Sequence, residues 1–183
     1  MSGDMGCEMN RSDTRVAVLF VCLGNICRSP TAHGIFQHHV QQRRLDQHIV
    51  VDSAGTGDWH IGRAPDQRTT AAALRRGYDL SALRARQVTP ADFSVFDYIL
   101  AMDAENLRNL QHMQPANFRG ELKLFLDYGD DDRFREVPDP YYGGADDFER
   151  VVDLVENAAQ RLLDHIVRQH IVRQHVDRQH RLS

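Results

Sequence analysis

The residues with the clearest capacity for chemistry share one short stretch, Cys22-Leu23-Gly24-Asn25-Ile26-Cys27-Arg28-Ser29-Pro30. It holds a thiol, a guanidinium six positions later and a hydroxyl beside it. An apolar run precedes the stretch and a helix signal follows it. Its backbone N–H groups and the orphan donors of the helix N-terminus should therefore converge into a cradle for an oxyanion or phosphate. Gly24 allows the tight backbone, and asparagine, here Asn25, is among the few other residues that tolerate a left-handed conformation. Arg28 can hold two phosphate oxygens with its fork. Cys22 sits in the same electropositive basin, which favours a thiolate aimed at phosphorus. Ser29 can offer its hydroxyl to that thiolate once phosphate has left.

A displacement by thiolate leaves an alkoxide or phenolate that needs a proton. Asp139, flanked by Pro138 and Pro140, lies in a loop stiffened by fixed φ angles. It stands 117 positions after Cys22, so only the fold can bring the two together. Tyr141 and Tyr142 follow at once, aromatic walls suited to a flat substrate ring.

The elements that must position these groups can be read from apolar periodicity. Val16 to Val21 is short, continuous and β-branched, as in a buried strand. Ala32, Ile35, Phe36 and Val40 recur at helical spacing behind Pro30. Ile49 to Val51 reads as a second strand, with a loop from Ser53 to Pro65. A helix with Ala72, Ala73 and Leu74 ends near Gly77, and Thr89-Pro90 signals a helix start. Tyr98 to Ala101 is a third strand, followed by a helix with Leu107 and Leu110; Leu122 to Leu126 is a fourth strand. The last helix carries an apolar stripe from Phe148 through Val152, Val155, Ala159 and Leu162 to Ile166. Strands alternating with helices predict an α/β fold: three αβα layers around a parallel four-stranded sheet, with the phosphate-binding loop after the first strand. Ligands in such folds gather beyond the carboxyl ends of the strands.

The 183 residues suffice for one domain with a sizeable core. Residues 1–15 are expected to be a disordered arm and 16–164 the domain. Residues 165–183 form a tail built on the pentad His-Ile-Val-Arg-Gln, either a helical extension or disordered. Each step of five turns a helix by about 140°, so the four repeat histidines do not share a face as metal ligands would. Asp130-Asp131-Asp132 reads as a solvated loop for want of a spaced oxygen set. A net charge of −4 argues against nucleic acid as a partner. No apolar run is long enough to span a bilayer. Three cysteines make no secreted disulfide framework, and acidic residues precede the first apolar run, so the expected location is the reducing cytoplasm.

Cys-x5-Arg-Ser near the start, with Asp-Pro-Tyr-Tyr far downstream, resembles the low-molecular-weight protein tyrosine phosphatases over about residues 16–164. Asp52-Ser53-Ala54-Gly55-Thr56, Trp59, Pro65-Asp66 and Ala85-Arg86-Gln87-Val88 add to the likeness, and Tyr78-Asp79-Leu80-Ser81 looks like the bacterial members. The resemblance implies hydrolysis of phosphotyrosine through a phosphocysteine on Cys22. Arg28 would bind phosphate, and Asp139 would serve as general acid and then base. It implies that Asn25 and Ser53 hold the cradle in shape, that Ser29 assists Cys22 and that Asp103 supports from behind. Leu23, Ile26, Trp59, Tyr141 and Tyr142 would line the entrance, and Gly24 and Cys27 belong to the cradle. Oxidation could join Cys27 to Cys22 and shield the nucleophile. The resemblance calls for no metal and no cofactor. It implies a phosphotyrosine protein as partner, a bacterial tyrosine kinase of polysaccharide synthesis being one candidate, and a monomer or weak dimer. Mammalian members often carry histidine where Arg76 stands, which implies a rebuilt outer support for the cradle.

Three rival readings meet specific obstacles. An arsenate reductase of this fold would relay a disulfide through further cysteines, and none follows Cys27. A phosphoarginine phosphatase would carry threonine where Ile26 stands. An inactive phosphotyrosine-binding module would lose the cysteine or the aspartate, and both are present. Neither nucleotide-binding glycine signature occurs.

Overall fold

The computed structural model describes residues 15–171. Four strands form one parallel sheet: β1 (Val16–Cys22), β2 (Ile49–Gly55), β3 (Tyr98–Ala101) and β4 (Glu121–Leu124), in the spatial order β2-β1-β3-β4. The five α-helices are α1 (Arg28–Gln42), α2 (Gln67–Arg75), α3 (Asp92–Val95), α4 (Ala104–Met113) and α5 (Ala145–Ile166). The expected parallel sheet with helices on both faces is the one observed.

β1 shows why the layers form. All seven of its residues are buried, and successive side chains serve opposite faces. Val16, Val18, Phe20 and Cys22 belong to a core shared with α1, α2 and α5. Ala17, Leu19 and Val21 belong to a second core with Phe93, Phe96 and Leu110, beneath α3 and α4. Phe20 lies between two edge-on rings, Phe36 at 5.6 Å and Phe125 at 5.0 Å.

Two boundaries differ from those read in the sequence. β2 continues through Ser53 to Gly55, where the sequence suggested a loop. Its outer half is held by backbone register, with Ser53 opposite Phe20 and Gly55 opposite Cys22, rather than by apolar side chains. β4 stops at Leu124, and Phe125–Tyr128 turns as a short 3-10 helix that drives Phe125 into the core.

Among the described residues Arg76 makes no bond to the loop, so the rebuilt outer support that its departure from histidine implied does not involve it. Its guanidinium is taken by α5, through Glu156 at 2.7 Å and Asp153 at 2.5 Å. Arg75 pairs with Glu149 and the Tyr78 hydroxyl donates to Glu156, so the end of α2 is laced to α5. Beyond Ile166, residues 167–171 continue as a wider helical turn, and His170 meets the Tyr98 hydroxyl at 2.8 Å. The arm over residues 1–14 and the repeat from 172 onward lie outside the described residues. Among the described residues, no helix is long and apolar enough to cross a membrane.

The sheet order places β2 on one side of β1 and β3 with β4 on the other. The crevice at the carboxyl ends of β1 and β3 is thus the switch point where ligands bind in such folds. Because Phe20 is central to the larger core, Phe20→Ala is expected to cost about 3–5 kcal/mol of unfolding free energy. Urea denaturation checks this, and a loss near zero would contradict the packing described.

Candidate active site

The loop after β1 takes its shape from where its carbonyls go. The Cys22 carbonyl accepts from Thr56 N–H at 2.9 Å and that of Leu23 from Gly57 N–H at 2.9 Å. The Ile26 carbonyl accepts from Asp66 N–H at 2.9 Å, and that of Cys27 from Thr31 N–H at 3.2 Å and Thr31 Oγ1 at 2.7 Å. With these carbonyls held outward, the peptide planes turn their N–H groups toward the hollow of the loop. The N-terminus of α1 opens into the same hollow and adds its orphan donors.

Asn25 closes the turn. It takes a φ of +55°, in the left-handed region. Its N–H points to Cys22 Sγ at 3.3 Å, its Nδ2 donates to Ser29 Oγ at 2.8 Å, and its Oδ1 accepts from Arg86 N–H at 3.0 Å. Ser29 Oγ stands 3.0 Å from Cys22 Sγ. Gly55 of β2 backs the turn so closely that a Cβ there would lie 2.7 Å from the Leu23 carbonyl oxygen and 3.1 Å from the Gly24 carbonyl carbon.

Arg28 is only 3% exposed and is surrounded by acceptors. Its Nη1 donates to Asp103 Oδ2 at 2.6 Å and to the Val137 carbonyl at 3.2 Å, and its Nη2 lies 3.7 Å from Asp139 Oδ2. Burial alone would lower its pKa, but the negative groups at Cys22, Asp103 and Asp139 outweigh that and raise it, so the guanidinium is permanently charged. Asp103 divides its carboxylate: Oδ1 caps α4 by accepting from Asn106 N–H at 2.7 Å, and Oδ2 holds Arg28.

Asp139 reaches the site because Val137 N–H donates to the Met102 carbonyl at 2.8 Å, tying the acidic loop to the end of β3. Its Oδ1 accepts from Tyr141 N–H at 3.1 Å. Cys22, Arg28 and Asp139 thus open on one cavity of about 340 Å³, lined also by Leu23, Gly24, Ile26, Cys27, Trp59, Tyr141 and Tyr142. Trp59 is 65% and Tyr142 96% exposed, so the rim is apolar surface presented to solvent.

Asn25, Ser29 and Asp103 stand behind this cavity rather than on it. Ser53 lies on β2, and its hydroxyl meets His33 Nδ1 of α1 at 3.1 Å; among the described residues it makes no bond to the loop itself. Burial lowers the pKa of His33, which keeps that imidazole neutral. Burial pushes the Cys27 thiol up to about 12, so at neutral pH it stays protonated beside Cys22.

Two contributors were not read from the sequence. His60 lines the cavity and covers Gly24, where a Cβ would lie 2.9 Å from its Cδ2. Arg86 holds Asn25 by its backbone and ties β2 to α3 through Asp52 at 2.9 Å and Asp92 at 3.0 Å. Arg86 belongs to a quoted motif, but nothing in the spacing alone connects it to Asn25, 61 positions away.

Comparison with known proteins agrees with this geometry. The family model described as low molecular weight phosphotyrosine protein phosphatase matches residues 17–175. A low molecular weight protein-tyrosine-phosphatase of Bacillus subtilis, YfkJ, is 44% identical over 84% of this chain and 97% of its own length. Its crystal structure gives a TM-score of 0.78, at 42% identity, over 86% of this chain and 98% of that one. The low molecular weight phosphotyrosine protein phosphatase of Sus scrofa is 40% identical over 82% of this chain and 95% of its own. The crystal structure of a Drosophila arginine phosphatase, DARP, aligns with a TM-score of 0.76 at 34% identity, covering 81% of this chain and 96% of that one.

Asn25→Ala should lower the unfolding free energy by roughly 2–4 kcal/mol, combining left-handed strain with buried groups left unpaired. Asn25→Gly should recover only the backbone share. Chemical denaturation of both variants checks this, and equal stabilities would refute a strained backbone.

Proposed function

The chain belongs to the low molecular weight phosphotyrosine protein phosphatases, a family of cysteine-dependent hydrolases, and on that premise we propose how its own residues carry out the hydrolysis. The observation that carries the proposal is the convergence of Cys22, Arg28 and Asp139 on a single cavity.

The Cys22 thiolate attacks the phosphorus of phosphotyrosine. A P–S bond forms, the P–O bond to the ring breaks, and Asp139 gives its proton to the departing phenolic oxygen. Arg28 and the loop N–H groups hold the phosphoryl oxygens as charge redistributes, and their prior placement avoids reorganisation at that moment. Water then attacks the phosphocysteine, Asp139 takes its proton, and the P–S bond breaks to release phosphate and restore the thiolate. Ser29 Oγ, already accepting from Asn25, turns its proton toward the returning sulfur. Leu23, Ile26, Trp59, Tyr141 and Tyr142 hold the ring. The partner is a protein carrying phosphotyrosine, and a bacterial tyrosine kinase fits that description. The requirement for a free Cys22 thiol suits a reducing cytoplasm.

The Drosophila neighbour raises phosphoarginine as a second substrate. Ile26 argues against it, because an apolar wall favours a phenyl ring over a guanidinium.

With p-nitrophenyl phosphate at mildly acidic pH and excess EDTA, the wild type should turn over. Cys22→Ser should abolish the reaction, and Asp139→Ala should slow it by about 10²–10⁴-fold. Full activity in Cys22→Ser would end the covalent reading, and preference for phosphoarginine in the same assay would replace the substrate. The loop also suggests a redox response. Peroxide oxidises Cys22 to a sulfenic acid, and the Cys27 thiol condenses with it to form a disulfide and water. Inactivation by brief peroxide should therefore reverse with dithiothreitol in the wild type and become irreversible in Cys27→Ala. Full recovery of that variant would show that Cys27 gives no protection.

A further inference from the structure

Arg68 is an exposed residue in the first turn of α2, and the mechanism above does not use it. Its contacts nevertheless run from the phosphate loop to Asp139. Asp66 is bonded to the loop through its N–H and the Ile26 carbonyl. The Asp66 carboxylate takes Arg68 as a fork, with Nε at 3.0 Å and Nη2 at 2.9 Å, and also caps α2 through Arg68 N–H at 2.8 Å. The remaining arm, Nη1, donates to the Tyr141 carbonyl at 3.0 Å. The guanidinium carbon stands 5.4 Å from the centre of the Tyr141 ring and 4.7 Å from that of Phe148, the first aromatic of α5. Tyr141 N–H in turn donates to Asp139 Oδ1.

We propose that Arg68 is a positioning residue for the proton donor, a strut that fixes Tyr141 relative to the phosphate loop and so presents Asp139 to the leaving oxygen. The proposal rests on the reading of Asp139 as general acid. Each link from Ile26 to Asp139 is a directional hydrogen bond, so the strut sets position as well as proximity. Tyr141 N–H occupies Oδ1 and leaves Oδ2, the oxygen nearer Arg28, to face the phosphate seat. An error of about 1 Å in such a placement can cost on the order of 10²-fold in rate. The task requires arginine. A planar fork that satisfies one carboxylate while a third N–H reaches a carbonyl has no counterpart in the point charge of lysine. Exposed ion pairs contribute little to stability, so loss of the strut should spare the fold.

The test compares kcat/KM across aryl phosphates of graded leaving-group acidity. It uses wild type, Arg68→Ala, Arg68→Lys, Asp139→Asn and the Arg68→Ala/Asp139→Asn double variant. Nitrophenolate is the better leaving group, so its departure depends less on the precise placement of the proton than that of phenolate does. Arg68→Ala should lose roughly tenfold on phenyl phosphate and no more than about twofold on p-nitrophenyl phosphate, a fraction of what general acid catalysis supplies. Arg68→Lys should not restore the difference. In the double variant, Arg68→Ala should add nothing to the leaving-group dependence, because the two residues act through one proton. Melting temperatures should stay within about 3 °C of the wild type. An equal loss on every substrate, or a leaving-group effect that persists without Asp139, would overturn the strut. If Asp139→Asn itself leaves the dependence unchanged, the acid assignment fails and the strut fails with it, whatever Arg68→Ala does.

Discussion

The outward direction of the loop carbonyls is the constraint on which the site depends. A strand that simply ended at Cys22 would show solvent a mixture of donors and acceptors. Here the carbonyls of Cys22, Leu23, Ile26 and Cys27 are drawn outward by Thr56, Gly57, Asp66 and Thr31, which come from three different parts of the chain. What remains inside is a surface of donors around one sulfur, a fixed field for an oxyanion that needs no metal to be electropositive. The cost of holding the donors in place is met during folding, by β2 running alongside β1 as far as Gly55 and by α2 beginning at Asp66.

A second constraint follows from burying a guanidinium. Arg28 would be costly to keep out of water without partners. Asp103, just before α4, supplies one, and the Val137 carbonyl and Asp139 supply the others from a single loop before α5. The same contacts that make Arg28 tolerable therefore also deliver the acidic loop to Cys22. Asp103 extends the economy, since it caps α4 with its other oxygen. Fold and site share these bonds.

The local sequence made some of this legible and hid the rest for physical reasons. The Cys-x5-Arg loop, the position of β1 and the apolar stripe of α5 are contiguous patterns, and the structure places them where those patterns put them. The end of β2 was hidden because its outer half is fixed by register with β1, and Ser53 and Gly55 carry no apolar signal of a strand. Arg76 stands where mammalian members often carry histidine, and its partners are carboxylates on α5, 77 to 80 positions away, a pairing that no local pattern shows. Arg86 acts through its backbone N–H, a group that every residue but proline possesses, so no side-chain pattern marks it. His60 was passed over because nothing adjacent in sequence shows that it will fold over Gly24.

The approach of Gly55 to the loop bears on how this site can change over evolutionary time. Most crowded positions in a protein tolerate a larger residue after a neighbouring side chain shrinks. At Gly55 the crowding atoms are backbone, the Leu23 carbonyl oxygen and the peptide beyond it, and no exchange of side chains removes them. The position has no second-site remedy. In a saturated library selected for turnover, glycine alone should survive there in any genetic background, while the exposed side chains of the aromatic rim accept more exchange. The lineage can therefore vary the rim, but the backbone of the loop around Cys22 stays fixed.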